Sequence, residues 1–194
     1  MAGNTYARKC RLYSIQTSIF LSESNGFTIG KYGKIYRTTD SGQNWDRYTF
    51  YDDIKQLQFV STSLAFVASG KDVYTTEDSG QTWKYLSTFE KRIVSLKFIN
   101  ENTGYLITLS SVYKTTDGGV TWEEKNNGIT TNFQDNLLCI DFADENTGII
   151  SGGSYEDTVT YKTSDGGETW TSIYEDDYSI STFDFIDKER HRIS

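Results

Sequence analysis

Alternating apolar and polar residues recur in short runs along this chain of 194 residues. In the run Val94-Ser95-Leu96-Lys97-Phe98 every second side chain is apolar, a period of two that is typical of a half-buried β-strand. Asn102-Thr103-Gly104 then supplies residues that favour a tight turn. Further strand-like runs follow at 105–109, at 112–115 and from Thr121. The pattern predicts four antiparallel strands in one sheet.

The same order of runs is found four times, and each copy carries the motif Thr-x-Asp-x-Gly-x-Thr-Trp, with Asn for the second Thr in the first copy. We call these motifs, residues 38–45, 76–83, 115–122 and 163–170, the Asp turns. A carboxylate can accept several N–H bonds of a tight turn, and glycine adopts backbone conformations that a Cβ opposes. We therefore expect each Asp turn to join strands three and four, with its Trp packed between sheets. The structural residues are Asp40, Gly42, Trp45, Asp78, Gly80, Trp83, Asp117, Gly119, Trp122, Asp165, Gly167 and Trp170.

A sheet that repeats roughly every 40 residues predicts an all-β protein, a β-propeller of four-stranded antiparallel blades. We expect a single domain over residues 1–194, with four full blades at roughly 15–50, 54–88, 93–126 and 137–175. Residues 3–6 match the end of an Asp turn and residues 180–187 restart a first strand. A partial fifth blade would therefore be shared by residues 1–14 and 179–194. The termini either close the ring, which we favour, or leave edges that join a longer array or another chain.

The Asp turns resemble the Asp-box repeat, or bacterial neuraminidase repeat (BNR). This repeat is shared by sialidases, xyloglucanases, the sortilin ectodomain and the photosystem II assembly-factor propellers. The resemblance covers nearly the whole chain and implies the fold more strongly than any one function. Sialidases also carry an Arg-Ile-Pro motif ahead of their boxes. This chain has no proline, and Arg92-Ile93 and Arg192-Ile193 follow Asp turns, so the resemblance does not extend to sialidase activity.

The composition restricts the partners that this chain would bind. Its net charge of −8 and pI near 4.7 argue against binding of nucleic acid or anionic membranes, which requires basic patches. No apolar run is long enough for membrane insertion, and no signal peptide is evident at the N-terminus. Two cysteines, Cys10 and Cys139, are too few for a disulfide framework, and we expect buried free thiols rather than a bridge.

Loop lengths indicate where a ligand would bind. Two insertions flank the fourth repeat, at residues 126–136 and 151–160, and strand parity places both on the face opposite the Asp turns. Long loops side by side are typical of a binding patch, although neutral variation in loop length would give the same pattern. The candidate ligand-binding residues are Phe133, Gln134, Asp135, Tyr155, Glu156 and Asp157.

No catalytic, metal-binding or cofactor-binding set is evident. Adjacent acidic residues occur at 52–53, 123–124, 156–157 and 175–177, but nothing fixes the separation that a pair of glycosidase carboxylates needs. The Asp turns lack the alternating oxygen ligands of a calcium loop. His191 has no companion residues for a triad, and the basic and aromatic segment 31–37 is interpreted as an ordinary strand.

The resulting hypothesis is a non-enzymatic propeller that binds a protein or glycan partner and serves as a scaffold or assembly module. Self-association through the terminal blade edges is a further expectation. An extracellular, cell-surface or virion location is favoured over the cytoplasm. The alternatives are a glycoside hydrolase on the sialidase-like fold and a chaperone-like scaffold of a multi-subunit complex.

Overall fold

The computed structural model describes residues 18–130, 136–153, 158–176, 183–187 and 190–193, and the regular elements in these ranges are all β-strands. The first sheet contains β1 (Ser18–Phe20), β2 (Gly26–Ile29), β3 (Lys34–Thr38) and β4 (Asp46–Thr49), and the second β5 (Ile54–Phe59), β6 (Ala65–Ser69), β7 (Asp72–Thr76) and β8 (Lys84–Thr88). The third contains β9 (Ile93–Phe98), β10 (Gly104–Thr108), β11 (Val112–Thr115) and β12 (Glu123–Glu124), and the fourth β13 (Asn136–Phe142), β14 (Gly148–Gly153), β15 (Thr158–Thr163) and β16 (Thr171–Asp176). A two-stranded sheet follows, with β17 (Phe183–Asp187) and β18 (Arg190–Ile193).

Within each sheet the strands pair with their neighbours in chain order, all antiparallel. The first strands of successive sheets, β5, β9, β13 and β17, lie against one another. The sheets are therefore arrayed around these inner strands, as the blades of a propeller are, and the predicted fold class is confirmed.

The inner strands of the second, third and fourth blades are buried on both faces. Every residue of β6, β10 and β14 is buried, and in β9 both Ser95 and Leu96 are buried although they point to opposite faces. The expectation of a half-buried strand at 94–98 is therefore wrong, because β9 has buried residues on both faces. A propeller blade packs against a neighbour on each side, so its inner strands have no solvent face.

Aromatic pairs join neighbouring blades at repeated positions. Phe66 stacks on Phe98 of the next blade with ring centroids 3.5 Å apart, and Tyr105 stacks on Phe142 at 3.7 Å. Phe27 and Phe59 form the equivalent pair at the first interface, tilted and 4.7 Å apart. In each pair, one ring belongs to the second residue of a second strand, and the other belongs to the last residue of the first strand of the next blade. Large aromatic residues therefore recur at these two positions of the repeat.

Polar side chains near the inner strands also bridge the blades. The Gln58 amide donates to the Phe98 carbonyl at 2.7 Å and accepts from the Phe98 N–H at 2.8 Å. One interface further on, Lys97 and Asp141 form a salt bridge at 2.5 Å. Both contacts connect adjacent first strands, so the blades are joined by directional bonds as well as by apolar packing.

The tryptophans of the Asp turns mostly pack between blades, as expected. Trp83 lies against Tyr48 and Phe50 of the preceding blade, and Trp122 lies against Phe89 of its preceding blade. Trp45 is different, since 43% of its surface remains exposed. Its turn belongs to the first described blade, and residues 1–17, which precede that blade in the chain, lie outside the described ranges.

The prediction of free thiols is wrong for Cys139, which is buried on β13 and disulfide-bonded. Cys10, the other cysteine of the chain, lies outside the described residues. The sharing of a fifth blade by the two termini and the closure of the ring stay predictions for the same reason. Within the described ranges no helix is long and apolar enough to cross a lipid bilayer.

Candidate functional site: the loop face

The Asp turns fix one end of each blade. In the third turn, Asp117 accepts hydrogen bonds from the Thr121 N–H at 2.9 Å and the Thr121 hydroxyl at 2.6 Å. Thr115 donates to Asp117 at 2.8 Å and accepts from the Gly119 N–H at 2.9 Å. The other three turns repeat this set of bonds. Each turn is therefore built by its own residues, within a span of eight.

Each Asp turn also bonds to the turn between strands one and two of its own blade. The Gly118 N–H donates to the Asn102 carbonyl at 2.9 Å, and the Gly166 N–H donates to the Asn146 carbonyl at 2.9 Å. Both kinds of turn thus occupy one end of the blades. The loops between strands two and three and the links between blades must then emerge at the opposite end.

The carboxylates of the Asp turns are stabilised in their charged form. Hydrogen bonds from the backbone and side chain of Asn44 lower the pKa of Asp40 from 3.8 to about 2. Hydrogen bonds from the hydroxyl and N–H of Thr82 and Thr169 lower the pKa values of Asp78 and Asp165 to about 2 as well. A folded-state pKa below the unfolded value favours folding at any pH where the unfolded carboxyl is ionised.

We therefore expect stability to fall as pH drops from about 4 to about 2, where unfolded aspartates bind protons before the folded ones do. Urea unfolding midpoints measured from pH 7 to pH 2.5 would check this. In the matched variant Asp78→Asn, one of these groups cannot titrate. Its midpoint should be lower at pH 7 but should decline less steeply in acid, and parallel curves for the two proteins would contradict this account.

The opposite end of the blades, the loop face, consists of residues 30–33, 50–53, 70–71, 89–92, 109–111 and 125–130. On it, the link 50–53 between the first two blades is held from several sides. The Phe50 N–H donates to the Gly33 carbonyl at 2.8 Å, and the Gly70 N–H donates to the Asp53 carbonyl at 3.1 Å. Gly33 has φ 68°, and a Cβ there would lie 2.5 Å from the carbonyl oxygens of Phe50 and Asp52. This close approach requires glycine.

Asp52 and Arg92 tie this link to the next blade. The guanidinium contacts both carboxylate oxygens of Asp52, at 2.8 and 3.1 Å. Burial opposes ionisation of Asp52, but the Asp53 N–H and the Arg92 guanidinium outweigh it and lower the pKa of Asp52. The Ser69 hydroxyl also donates to the Asp52 carbonyl at 2.6 Å. The backbone that carries Tyr51 is therefore fixed on both sides.

Two tyrosines project from this fixed backbone. Tyr51 is 100% exposed and Tyr32, in the adjacent loop, is 75% exposed. Tyr32 also has φ 60°, a left-handed conformation that is uncommon for a bulky residue, and its N–H donates to the Asp53 carboxylate at 2.9 Å. Strained backbone held by its neighbours is concentrated at binding sites. Leu109, on the loop of the third blade, adds a further exposed apolar side chain to this face.

The predicted ligand-binding residues Phe133, Gln134, Asp135, Tyr155, Glu156 and Asp157 all lie outside the described residues. Their loops nevertheless begin at neighbouring points, because Asn136 pairs with Gly153 and Gly153 pairs with Thr158. The predicted loop 151–160 is too long, since its two ends extend β14 and β15 as paired strands. That these residues bind a ligand stays a prediction.

The acidic residues that were considered for catalysis have structural partners where they are described. Asp52 binds Arg92, Glu123 binds Lys125 at 2.8 Å, and Glu124 accepts from Asn126 at 2.6 Å. In the described part of the chain no group of three or more His, Cys, Asp or Glu side chains is arranged to hold a metal ion.

Sequence reasoning missed Tyr32, Tyr51 and Leu109. Segment 31–37 was interpreted as a strand, but β3 begins only at Lys34, and residues 31–33 form the turn. The signal in the sequence was Tyr32 next to Gly33, an aromatic residue beside a turn-forming glycine. Tyr51 carries no comparable signal, because its exposure depends on contacts between separate blades.

Comparison with known proteins agrees with this architecture. Residues 86–179, slightly less than half of the chain, match the family described as photosynthesis system II assembly factor YCF48. YCF48 from Cyanidioschyzon merolae superimposes with a TM-score of 0.65 and 18% identity, covering 93% of this chain and 64% of that chain. An ancestral GH74 enzyme superimposes with a TM-score of 0.66 and 16% identity, covering 81% of this chain and 25% of the enzyme chain. The N-terminal domain of Nup159 superimposes with a TM-score of 0.54 and 13% identity, covering 86% of this chain and 45% of the Nup159 chain. A search of curated proteins found no match.

At these identities the structural likenesses establish the fold alone. Together with the family match, these likenesses support a BNR-type propeller. This is the general part of the resemblance between the Asp turns and the Asp-box repeat. The more specific likeness to sialidases and to the sortilin ectodomain stays a prediction. The chain spans 64% of the length of the YCF48 chain with which it was superimposed.

Proposed function

We propose that this chain is a protein-binding propeller that acts in the assembly of a larger complex, with the loop face as its docking surface. The observation that carries the proposal is the pair Tyr32 and Tyr51, both strongly exposed on backbone that hydrogen bonds hold in place. The family matched by residues 86–179 is described as an assembly factor, which favours the same class of function.

Tyrosines on a preformed loop lose little conformational entropy when they bind. A tyrosine combines a large apolar ring with a hydroxyl that can donate and accept, and it is enriched among the residues that dominate binding energy. Side chains presented by a preformed loop lose little further freedom on binding, so more of the contact energy contributes to affinity. The loop 50–53 meets this condition through its bonds to Gly33, Gly70 and Arg92.

The test compares variants in capture from extracts of the source cells. Tyr51→Ala combined with Tyr32→Gly removes both rings, and the glycine suits the left-handed backbone at position 32. We expect a partner recovered with the unaltered chain to be lost, or its affinity to fall at least about tenfold, with no drop in melting temperature.

Tyr85→Ala is the matched control, since Tyr85 is another exposed tyrosine, at 51%, but lies on β8, an outer strand. It should retain the partner. A second arm, Phe133→Ala with Tyr155→Ala, tests the loops of the fourth repeat in the same assay. If the tyrosine variant and the control recovered the same partner equally well, the loop face would not be the docking surface.

A glycan is the second candidate partner, because exposed tyrosine rings also suit the apolar faces of sugars. Binding of a defined oligosaccharide that depends on Tyr51 would favour it over a protein. An oxidising, extracytoplasmic compartment is the proposed location, supported by the disulfide at Cys139. Fractionation of the source cells would test that location.

A further inference from the structure

The fourth blade carries a row of small polar side chains across three of its strands. Cys139 on β13 pairs with Ser151 on β14, and Ser151 pairs with Thr160 on β15. The three residues are only 3%, 0% and 6% exposed. We call Cys139, Ser151 and Thr160 the polar row. It is separate from the tyrosines on which the proposed function depends.

The polar row faces away from the third blade. Ile140, Ile150 and Tyr161, each one residue further along its strand, pack in the core that the third and fourth blades share. Successive side chains of a strand point to opposite faces of the sheet. The polar row therefore faces the neighbour that follows the fourth blade, on the side where β13 contacts β17.

The other three blades have apolar residues at the positions of Ser151 and Thr160. These cross-strand pairs are Ile29 with Ile35, Ala68 with Val73, and Ile107 with Val112. Each pair belongs to a core that its blade shares with the next blade. The fourth blade thus replaces an apolar contact with two hydroxyls, which indicates a neighbour of different chemistry.

The two hydroxyls have no hydrogen-bond partner in the described part of the chain. A buried hydroxyl that lacks a partner is unfavourable, so Ser151 and Thr160 require polar groups on the neighbour that covers them. The sheet that follows the fourth blade has two strands within the described ranges, whereas the other blades have four. A further piece of chain is therefore needed to cover β14 and β15.

The disulfide of Cys139 identifies this piece of chain. A disulfide requires Cα atoms within about 7 Å of each other, and a second copy of the chain cannot approach a sulfur that is buried inside the fold. The chain has one other cysteine, Cys10. Cys10 lies within residues 1–17, the N-terminal segment, which precedes the first described strand and is long enough for one or two strands.

We propose that the N-terminal segment occupies this face of the fourth blade, fixed by a disulfide between Cys10 and Cys139 and by hydrogen bonds of its backbone to Ser151 and Thr160. A hydroxyl can donate and accept, so it suits the N–H and C=O groups of an extended segment. The polar row lies beside Asn136 and Gly153, where the candidate loops of the fourth repeat begin. The segment would therefore also support the stems of those loops.

This attachment is sensitive to the redox state of the surroundings. A dithiol reductant attacks one sulfur of the disulfide, and its second thiol then displaces the mixed bond. Both cysteines gain a proton, and the reductant leaves as a disulfide. Without the bond, the loop from residue 10 to residue 139 is no longer closed, and the segment depends on its hydrogen bonds and packing alone.

The first test identifies the bond and its effect. A protease digest without reductant should contain one pair of peptides linked through Cys10 and Cys139, as detected by mass spectrometry. Cys10→Ser should lower the melting temperature by about 5–15 °C. It should also raise amide hydrogen exchange in β14 and β15, while β6 and β7 keep their protection. A free thiol at Cys139, a link between two chains or unchanged exchange in β14 and β15 would overturn the assignment.

The second test concerns the hydroxyls. If Ser151 bonds to the N-terminal segment, Ser151→Ala should lower the melting temperature of the disulfide-bonded chain. Its effect should be smaller in the Cys10→Ser background, because the two changes then affect the same contact. A Ser151 hydroxyl without a partner gives the opposite sign, since alanine removes an unpaired buried group.

Thr75→Val is the matched control for Ser151→Ala. The Thr75 hydroxyl is also buried, but it donates to the Ala65 carbonyl at 3.0 Å within the second blade. Its loss should lower the melting temperature equally with and without the disulfide. If Ser151→Ala stabilises the chain, or acts equally in both backgrounds as Thr75→Val does, the N-terminal segment does not occupy this face.

Discussion

Replacement of Tyr105 by alanine is expected to lower the free energy of unfolding by about 3–5 kcal/mol, the range for loss of a large aromatic residue from a core. Tyr105 is fully buried and stacks on Phe142 with ring centroids 3.7 Å apart. Its hydroxyl donates to the Gly166 carbonyl at 2.9 Å, within the Asp turn of the next blade. The variant therefore loses ring packing and one hydrogen bond at a single interface, and urea unfolding would measure the loss.

Two companion variants separate these contributions. Tyr105→Phe keeps the ring and leaves the carbonyl of Gly166 with the Lys114 ammonium as a donor at 2.8 Å, so a loss of only about 1 kcal/mol is expected. Tyr85→Ala removes a half-exposed ring and should cost less than the loss at Tyr105. If Tyr105→Ala were as mild as Tyr85→Ala, the stacked pairs would not hold the blades together.

Gly128→Ala is expected to destabilise the fold by about 3 kcal/mol, combining left-handed backbone with a steric clash. Gly128 has φ 88°, and a Cβ there would run into the carbonyl oxygen of Trp170. The chain cannot easily move away, because the Trp170 N–H donates to the Asn127 carbonyl at 2.9 Å. Thermal and urea unfolding would both report the effect.

Gly118→Ala provides the comparison for Gly128→Ala. Gly118 has φ 71°, so alanine has a similar backbone cost there, about 1–2 kcal/mol. Its added Cβ would meet only the Glu101 carbonyl oxygen, at 3.2 Å, in an exposed turn. The difference between the two variants isolates the clash with Trp170. Equal losses would mean that the link after β12 moves freely and does not pack on the fourth blade.

The sequence predicted the sheets well because their determinants are local. The bonds of Asp117 to Thr115 and Thr121 join residues within one turn, so the motif carries its own geometry. Period-two runs such as 94–98 likewise marked a strand. Their two-sided burial was not predictable, since it depends on blades that contact one another only after folding.

The candidate site was less predictable for the same reason. Tyr51 lies on backbone beside Asp52, which bonds to Arg92, a residue of the next link between blades. The disulfide at Cys139 was mispredicted because two distant cysteines in a sequence carry no information on their separation in space. Loop length did indicate the fourth repeat, where the stems at Asn136 and Gly153 adjoin.

The amide of Gln58 has a consequence for how the blades share their stability. Its two bonds to Phe98 reproduce the pairing that a peptide group makes inside a sheet, but across a boundary between sheets. In an array of blades joined only by apolar contacts, the blades could unfold one by one. Together with Gln56, whose amide oxygen accepts from the Leu96 N–H at 2.9 Å, Gln58 joins the second and third blades in one hydrogen-bonded framework, so these two blades should unfold as a unit.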